Sequence, residues 1–200
     1  MKGNRGTALP LALALAAGTG LLWWGTDGLH AFSSEGARRL AVEEHPRLLP
    51  PAPLVDQDGV PLDLPALAGR RLLVEFIYTR CPTICTTLGL SFQQIAAVHP
   101  DGGDPLLLSI SFDRSDDTAA LHRYAERFQA DGRAWRIARV ADAAALTPLL
   151  RAFGVVAIPD GLGGYVHNAA IHEVDRDGRL VRLHDYDAGA KVLAMMKTPP

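Results

Sequence analysis

The sequence has almost no cysteine, two residues in 200, and no excess of charge of either sign. With 20 lysines and arginines against 22 acidic residues the net charge is −2. No basic surplus argues for nucleic acid as a partner, and no run of like charge marks a disordered tail. No internal repeat or low-complexity tract appears, which excludes solenoids and arrays. Long apolar runs are also missing, except for one at the very start.

That run extends from Thr7 to Trp24, behind Lys2 and Arg5. As a helix, a run of that length spans roughly 27 Å, close to the ~30 Å hydrocarbon core of a bilayer. Basic residues before it predict a cytoplasmic N-terminus, and Trp23 and Trp24 end it with rings that favour the membrane interface. The alternative is a cleaved signal peptide, with small residues at Ala12, Ala14 and Ala16. Both place the rest of the chain on the non-cytoplasmic, periplasmic-type side. Length and the tryptophan pair favour the anchor.

The sequence therefore divides into an anchor over 1–24, a juxtamembrane linker over 25–53 closed by Pro50-Pro51-Ala52-Pro53, and a folded domain over 54–197. A composition 48% hydrophobic and 21% charged is enough for a sizeable core. Residues 54–63 read as a hairpin turning at Asp58-Gly59. Apolar strands are predicted over 71–78 and 106–112, with a helix over 82–98 between them, where Leu88, Phe92, Ile95 and Ala96 share a face. A helix opening at Asp116-Asp117-Thr118, a strand near 135–140 and a helix over 142–153 stopped by Gly154 follow. Strands over 167–175 and 179–184, joined through Asp177-Gly178, and a helix near 188–197 end the chain. This order predicts an α/β, thioredoxin-like fold: a central mixed sheet flanked by helices.

Both cysteines lie in Tyr78-Thr79-Arg80-Cys81-Pro82-Thr83-Ile84-Cys85, directly after a buried strand and at a helix start. A helix N-terminus lowers a thiol pKa and favours the thiolate, the form that attacks disulfides and binds metals. Arg80 adds positive charge, and Pro82 falls where the first helical residue is expected. Four positions bring both sulfurs to one side of a helix, able to form a disulfide or share an ion. A purely structural bridge is the bland alternative, but so small a loop gains only roughly 2 kcal/mol.

Two thiolates suit soft Cu(I), and an imidazole would complete a three-coordinate site. His30 and His45 lie in the linker, His99 precedes a turn, His122 sits on an exposed helix and His184 has no evident partner. His167 differs, because it follows the glycine-rich loop Asp160-Gly161-Leu162-Gly163-Gly164, which in such a fold lies against the cysteine helix. A hydrogen-bonded loop histidine is the alternative. His172 is five positions on, on the opposite face of a regular strand, and reads as structural.

These residues carry a resemblance. The chain resembles the Sco/SenC proteins, thioredoxin-like copper proteins of cytochrome oxidase assembly, over roughly 50–195. The segment FIYTRCPTIC is similar to the family's aromatic-Thr-x-Cys-Pro-x-x-Cys, SISFDRSDDT to its Ser-Phe-Asp strand end, and GYVHN with VDRDGRL to its histidine loop and following hairpin. The resemblance implies Cys81, Cys85 and His167 as copper ligands and a respiratory oxidase subunit with a copper site as partner. It places Asp113 near the cysteine helix, where it would tune the thiols or meet a partner; a turn aspartate is the alternative. Where the family often has Asp-His-Ser or Asp-His-Thr, this chain has Val166-His167-Asn168. The expected role is a copper chaperone. The second is a thiol–disulfide reductase, with Cys81 attacking and Cys85 resolving, that keeps an oxidase's copper-binding cysteines reduced. Zinc is disfavoured because a closed site wants four ligands, and a peroxidase is the most remote reading.

Overall fold

The computed structural model describes residues 5–26, 28–29, 32–98 and 103–197. Its contacts divide the chain into one unit up to Glu44 and a second from His45 onward. The first unit holds α1 (Arg5–Gly25) and α2 (Ser34–Glu44). Apolar side chains of α1 from Leu9 to Trp24 are exposed, with no polar face set against an apolar one. The expected anchor begins outside the described residues, and among these no helix is long and apolar enough to cross a membrane. In α2, Glu35 pairs with Arg38 and Arg39 across one turn, the spacing at which helical side chains meet.

The second unit runs β1 (Arg47–Leu48), β2 (Pro53–Asp56), β3 (Pro61–Asp63), a 3-10 turn (Leu64–Leu67), β4 (Leu72–Ile77), α3 (Ile84–Ala97), β5 (Leu106–Ser111), α4 (Thr118–Phe128), β6 (Trp135–Val140), α5 (Ala143–Phe153), β7 (Ala157–Pro159), β8 (Tyr165–His167), β9 (Ala170–Val174), β10 (Arg179–Asp185) and α6 (Gly189–Lys197). Eight strands form one sheet in the order β1-β10-β9-β4-β5-β6-β2-β3. Strands β4, β5 and β6 are parallel, and β9 joins β4 antiparallel, so the sheet is mixed. Every residue of β4 and β5 is buried, as expected where helices cover both faces of a sheet. This is the layered α/β arrangement read from the sequence.

Local chemistry fixes the helix ends. Asp117 accepts from the Ala120 N–H and Asp142 from the Ala144 N–H, capping α4 and α5. Gly154 ends α5 with a left-handed φ of 66°, a conformation open to a residue without Cβ. Close approach of α3 to α4 depends on Gly89, where a Cβ would lie 2.8 Å from the Phe128 ring.

The structure departs from the sequence reading in three places that matter for the site. Helix α3 begins at Ile84 with Thr83 as its cap, so Pro82 lies ahead of the helix and Cys81 in the turn before it. His167 and His172 do not share a strand: β8 pairs with β7 as a separate two-stranded hairpin, while His172 belongs to the main sheet. Asn168 and Ala169 part them, and the Asn168 side chain is drawn back to the end of α5. His184 is buried and has a partner, Glu173, at 2.9 Å, where no partner was expected.

Candidate metal and thiol site

The site forms where β4 ends, α3 begins and the β7–β8 hairpin folds over. The backbone leaving β4 is clamped first. Buried Asp116 accepts from the Thr79 N–H at 2.9 Å, the Thr79 hydroxyl at 2.6 Å and the Ser111 hydroxyl at 2.6 Å. The next residue, Arg80, is gripped by Asp113: its guanidinium donates to Asp113 Oδ2 at 2.8 Å and to Ser115 Oγ at 3.0 Å. Asp113 also accepts from the Ser115 N–H and hydroxyl. Burial would raise the Asp113 pKa, but Arg80 and Ser115 outweigh it and hold the carboxyl below its ordinary range. Asp113 is therefore tied to Arg80, the residue before Cys81.

Cys81 and Cys85 are both buried and both thiols, not joined to each other. The Cys85 N–H donates to Cys81 Sγ at 3.4 Å. The two thiols titrate in opposite directions. A hydrogen bond from the Cys85 thiol, helped against burial by the Cys85 and Thr83 N–H groups and the Tyr78 hydroxyl, lowers Cys81 to about 5. The same bond, together with burial, pushes Cys85 far up. One sulfur is thus a thiolate at neutral pH and its neighbour a protonated donor.

His167 reaches this pair from the hairpin. Its Nε2 lies 3.9 Å from Cys85 Sγ. Burial lowers its pKa, so the ring is the neutral form that binds metals. Among the described residues, Nδ1 is buried with no hydrogen-bond partner, and a buried unpaired polar atom is uncommon in native structures. Aromatic rings hold the imidazole: Phe112 at 5.2 Å and Tyr78 at 6.4 Å between centroids, with Tyr165 at 5.1 Å from Phe112. The base of the hairpin is tied by Asn168, whose amide donates to the Gly154 carbonyl at 3.0 Å and whose Oδ1 accepts from the Val156 N–H at 2.7 Å. Its tip is closed by Asp160, which accepts from the Leu162 and Gly164 N–H groups.

The donor set fits a soft first-row ion. Metal–sulfur and metal–nitrogen bonds of about 2.3 and 2.0 Å sum to about 4.3 Å, which exceeds the 3.9 Å between Cys85 Sγ and His167 Nε2. One ion between them is geometrically open. Among the described residues, no three His, Cys, Asp or Glu side chains already stand at metal-holding geometry, so a third ligand would require a local shift.

The other histidines lie elsewhere. His172 is buried with Nδ1 3.1 Å from the Val74 carbonyl, packed between Phe76 and Phe153, a structural role as expected. His122 faces Asp58 and Glu126 at the surface, and His45 is exposed. His30 and His99 lie outside the described residues. Sequence reasoning missed Asp116 and Glu75. Glu75 is fully buried beneath the site, accepts from the Ser109 hydroxyl at 2.5 Å, and is raised by burial to about 8. A lone acid inside the apolar run Leu72–Ile77 was the available signal.

A mixed sheet whose parallel strand leads through a C-x-x-x-C turn into a helix, with a histidine folded over the pair, defines a thioredoxin-like protein with a thiol–imidazole centre. The SCO1/SenC family model matches residues 42–197. The chain belongs to the SCO1/SenC family. No curated protein matches it in sequence. Among solved structures it is similar to a SCO1/SenC family lipoprotein from Bacillus anthracis str. Ames, with TM-score 0.65 and 20% identity over 76% of this chain and 95% of that one. It is also similar to ScoI from Bradyrhizobium japonicum, solved with copper bound, with TM-score 0.54 and 24% identity over 74% and 99%. A third is BsSco, described as a member of the Sco family of cytochrome c oxidase assembly proteins that carries a disulfide switch, with TM-score 0.63 and 22% identity over 76% and 92%. These identities establish a shared fold.

Proposed function

We propose that this chain binds copper as cargo through Cys81, Cys85 and His167 and passes it to the copper site of a respiratory oxidase. The observation that carries the proposal is the 3.9 Å approach of neutral His167 Nε2 to Cys85 Sγ, beside a neighbouring thiol already held as thiolate. Two sulfurs and an imidazole are the ligand set that soft Cu(I) prefers. Copper-bound ScoI supports the cargo, and BsSco supports oxidase assembly as the setting. Arg80 offsets the negative charge of a dithiolate centre, and Asp113 holds it in place. The N-terminal segment is proposed as a membrane anchor because Lys2 and Arg5 precede it, Trp23 and Trp24 end it, and the apolar side chains of α1 from Leu9 to Trp24 are exposed. The domain then faces the periplasmic-type side.

Copper titration of the reduced full chain tests the proposal. One ion per chain is expected, lost in Cys81→Ser and Cys85→Ser. A wild-type chain that holds no copper would overturn it.

The opposed thiol pKa values favour a second reading on the same residues. The Cys81 thiolate attacks one sulfur of a partner disulfide, forming a mixed disulfide and releasing one partner thiolate. Cys85 loses its proton and displaces the second partner sulfur, closing a Cys81–Cys85 disulfide while two electrons pass to the partner. Metal transfer needs His167, whereas thiol exchange does not. Reduction of a disulfide substrate by His167→Ala at the wild-type rate, with copper binding weakened, separates the two.

A further inference from the structure

The β7–β8 hairpin has two unlike faces. Strand alternation turns Tyr165 and His167 inward and Val166 outward, opposite its cross-strand partner Ile158. Val156 shares the outward face, two positions before Ile158. The exposures are 55% for Val156, 58% for Ile158, 67% for Val166 and 93% for Leu162 at the tip. Three apolar side chains thus stand in water on the reverse side of the strand that carries His167, and Leu162 stands out at the tip of the hairpin. Nothing in the fold requires this. A solvent-facing strand position ordinarily takes a polar residue, and clustered apolar exposure marks an interaction surface.

The surroundings identify the occupant. Residues 81–90, which open α3 beside the site, contain no charged side chain, and Pro82 and Thr83 are exposed there. Between 154 and 167 the only charge is Asp160, whose carboxylate is turned to the Leu162 and Gly164 N–H groups. Two cations approach this region: Arg80 is paired with Asp113, and Arg127 donates to the Thr86 hydroxyl on α3. A hairpin with no cation and one carboxylate offers no hold on phosphate, whether of nucleic acid or of an anionic headgroup. Both cysteines are buried and His167 reaches Cys85 from the hairpin, so the edge between the hairpin and the start of α3 is the proposed opening for the ion. Ligand exchange requires the receiver's own ligands at that opening.

We propose that the outward face of the β7–β8 hairpin, Val156, Ile158, Leu162 and Val166, is the docking surface for the protein that exchanges copper with this site. That protein presents an uncharged apolar surface beside its own metal-binding thiols. The inference rests on the proposed copper function and extends it to the partner. Docking on the hairpin puts the receiver against the one element that bears the histidine ligand, and Gly161 and Gly163, at φ 76° and 90°, flank Leu162 in the connecting loop.

The full chain carrying Leu162→Ser and Val166→Thr tests this, with the copper domain of an oxidase subunit from the same organism as acceptor. Binding is measured with both proteins metal-free, and copper transfer separately. Expected are acceptor affinity and transfer rate lowered at least about tenfold, the size of losing an anchor side chain. One copper per chain and extraction by a small chelator at the wild-type rate are also expected. The control Val60→Thr, in the β2–β3 turn, leaves acceptor affinity unchanged. Hydrogen exchange on the wild-type chain supplies a readout free of mutation: amides of 156–166 become protected on adding acceptor. Unchanged affinity, or no protection there, overturns the proposal. So does loss of self-association or of binding to neutral phosphatidylcholine vesicles while acceptor binding stays intact, since the occupant is then a second copy or a bilayer. A wild-type chain that binds the acceptor but no copper would instead refute the function proposed above and leave the docking face standing.

Discussion

Cys85 and His167 stand 82 positions apart in sequence and 3.9 Å apart in space, the first at the start of α3 and the second at the end of a hairpin that belongs to no larger sheet. That contact is held by side chains around it rather than by the two residues themselves, and the consequences can be measured one at a time.

Cys81 should alkylate with a midpoint near pH 5, the value to which its hydrogen bonds lower it, and Cys85 should stay unreactive across neutral pH. Cys85→Ala removes the largest cause, and the Cys81 midpoint is expected to rise by about one unit or more. Tyr78→Phe removes a smaller donor, with a smaller rise. Iodoacetamide rates against pH, read by mass spectrometry, check both.

Glu75 should make its presence felt through pH. Its carboxyl is raised from an ordinary 4.5 to about 8 by burial. The native state then binds more protons than the unfolded state between those values, so this group's contribution to stability falls as pH rises through the window. Reduced Cys81 acts oppositely, because its lowered pKa favours the native state as pH rises above about 5. The difference between Glu75→Gln and wild type isolates the carboxyl. The variant should be more stable at pH 8 by an amount on the order of a few kcal/mol and nearly equal at pH 4.5. Urea unfolding at both pH values reads it.

Much of this was legible in the sequence and some was not, for physical reasons. Cys81 and Cys85 announced themselves because a strand-to-helix junction is a local pattern, and Asp58-Gly59 gave the β2–β3 turn by residue type alone. The β7–β8 hairpin was missed, since Ala157–Pro159 is short, contains proline and pairs only with Tyr165–His167. A three-residue strand leaves no period to read. The helix start expected at Pro82 falls two residues later, at Ile84, because Pro82 is tolerated ahead of a helix as well as in its first turn. Asp116 reads as a helix-opening acid, and only the fold shows its carboxylate turned back onto Thr79.

Asp116→Ala should therefore destabilise by about 2–4 kcal/mol, because three donors lose a buried carboxylate at once. Looser placement of Thr79 and Arg80 should also blur the Cys81 titration. Chemical denaturation and the alkylation profile report the two effects.

Gly164→Ala should move the histidine. A Cβ there would lie 2.6 Å from Asp160 Oδ2 and 3.2 Å from the Tyr78 hydroxyl, so the hairpin tip must shift. Copper affinity is expected to fall about tenfold, or about 1.4 kcal/mol. Competition against a Cu(I) chelator measures it, and the unfolding midpoint should change little.

The central claim is that copper sits between two sulfurs and the His167 ring. X-ray absorption at the copper edge of the Cu(I)-loaded full chain tests it most directly. Two sulfur neighbours and one imidazole nitrogen are expected, with the nitrogen lost in His167→Ala. Copper bound by sulfur alone in the wild type, with the same spectrum in His167→Ala, would contradict it.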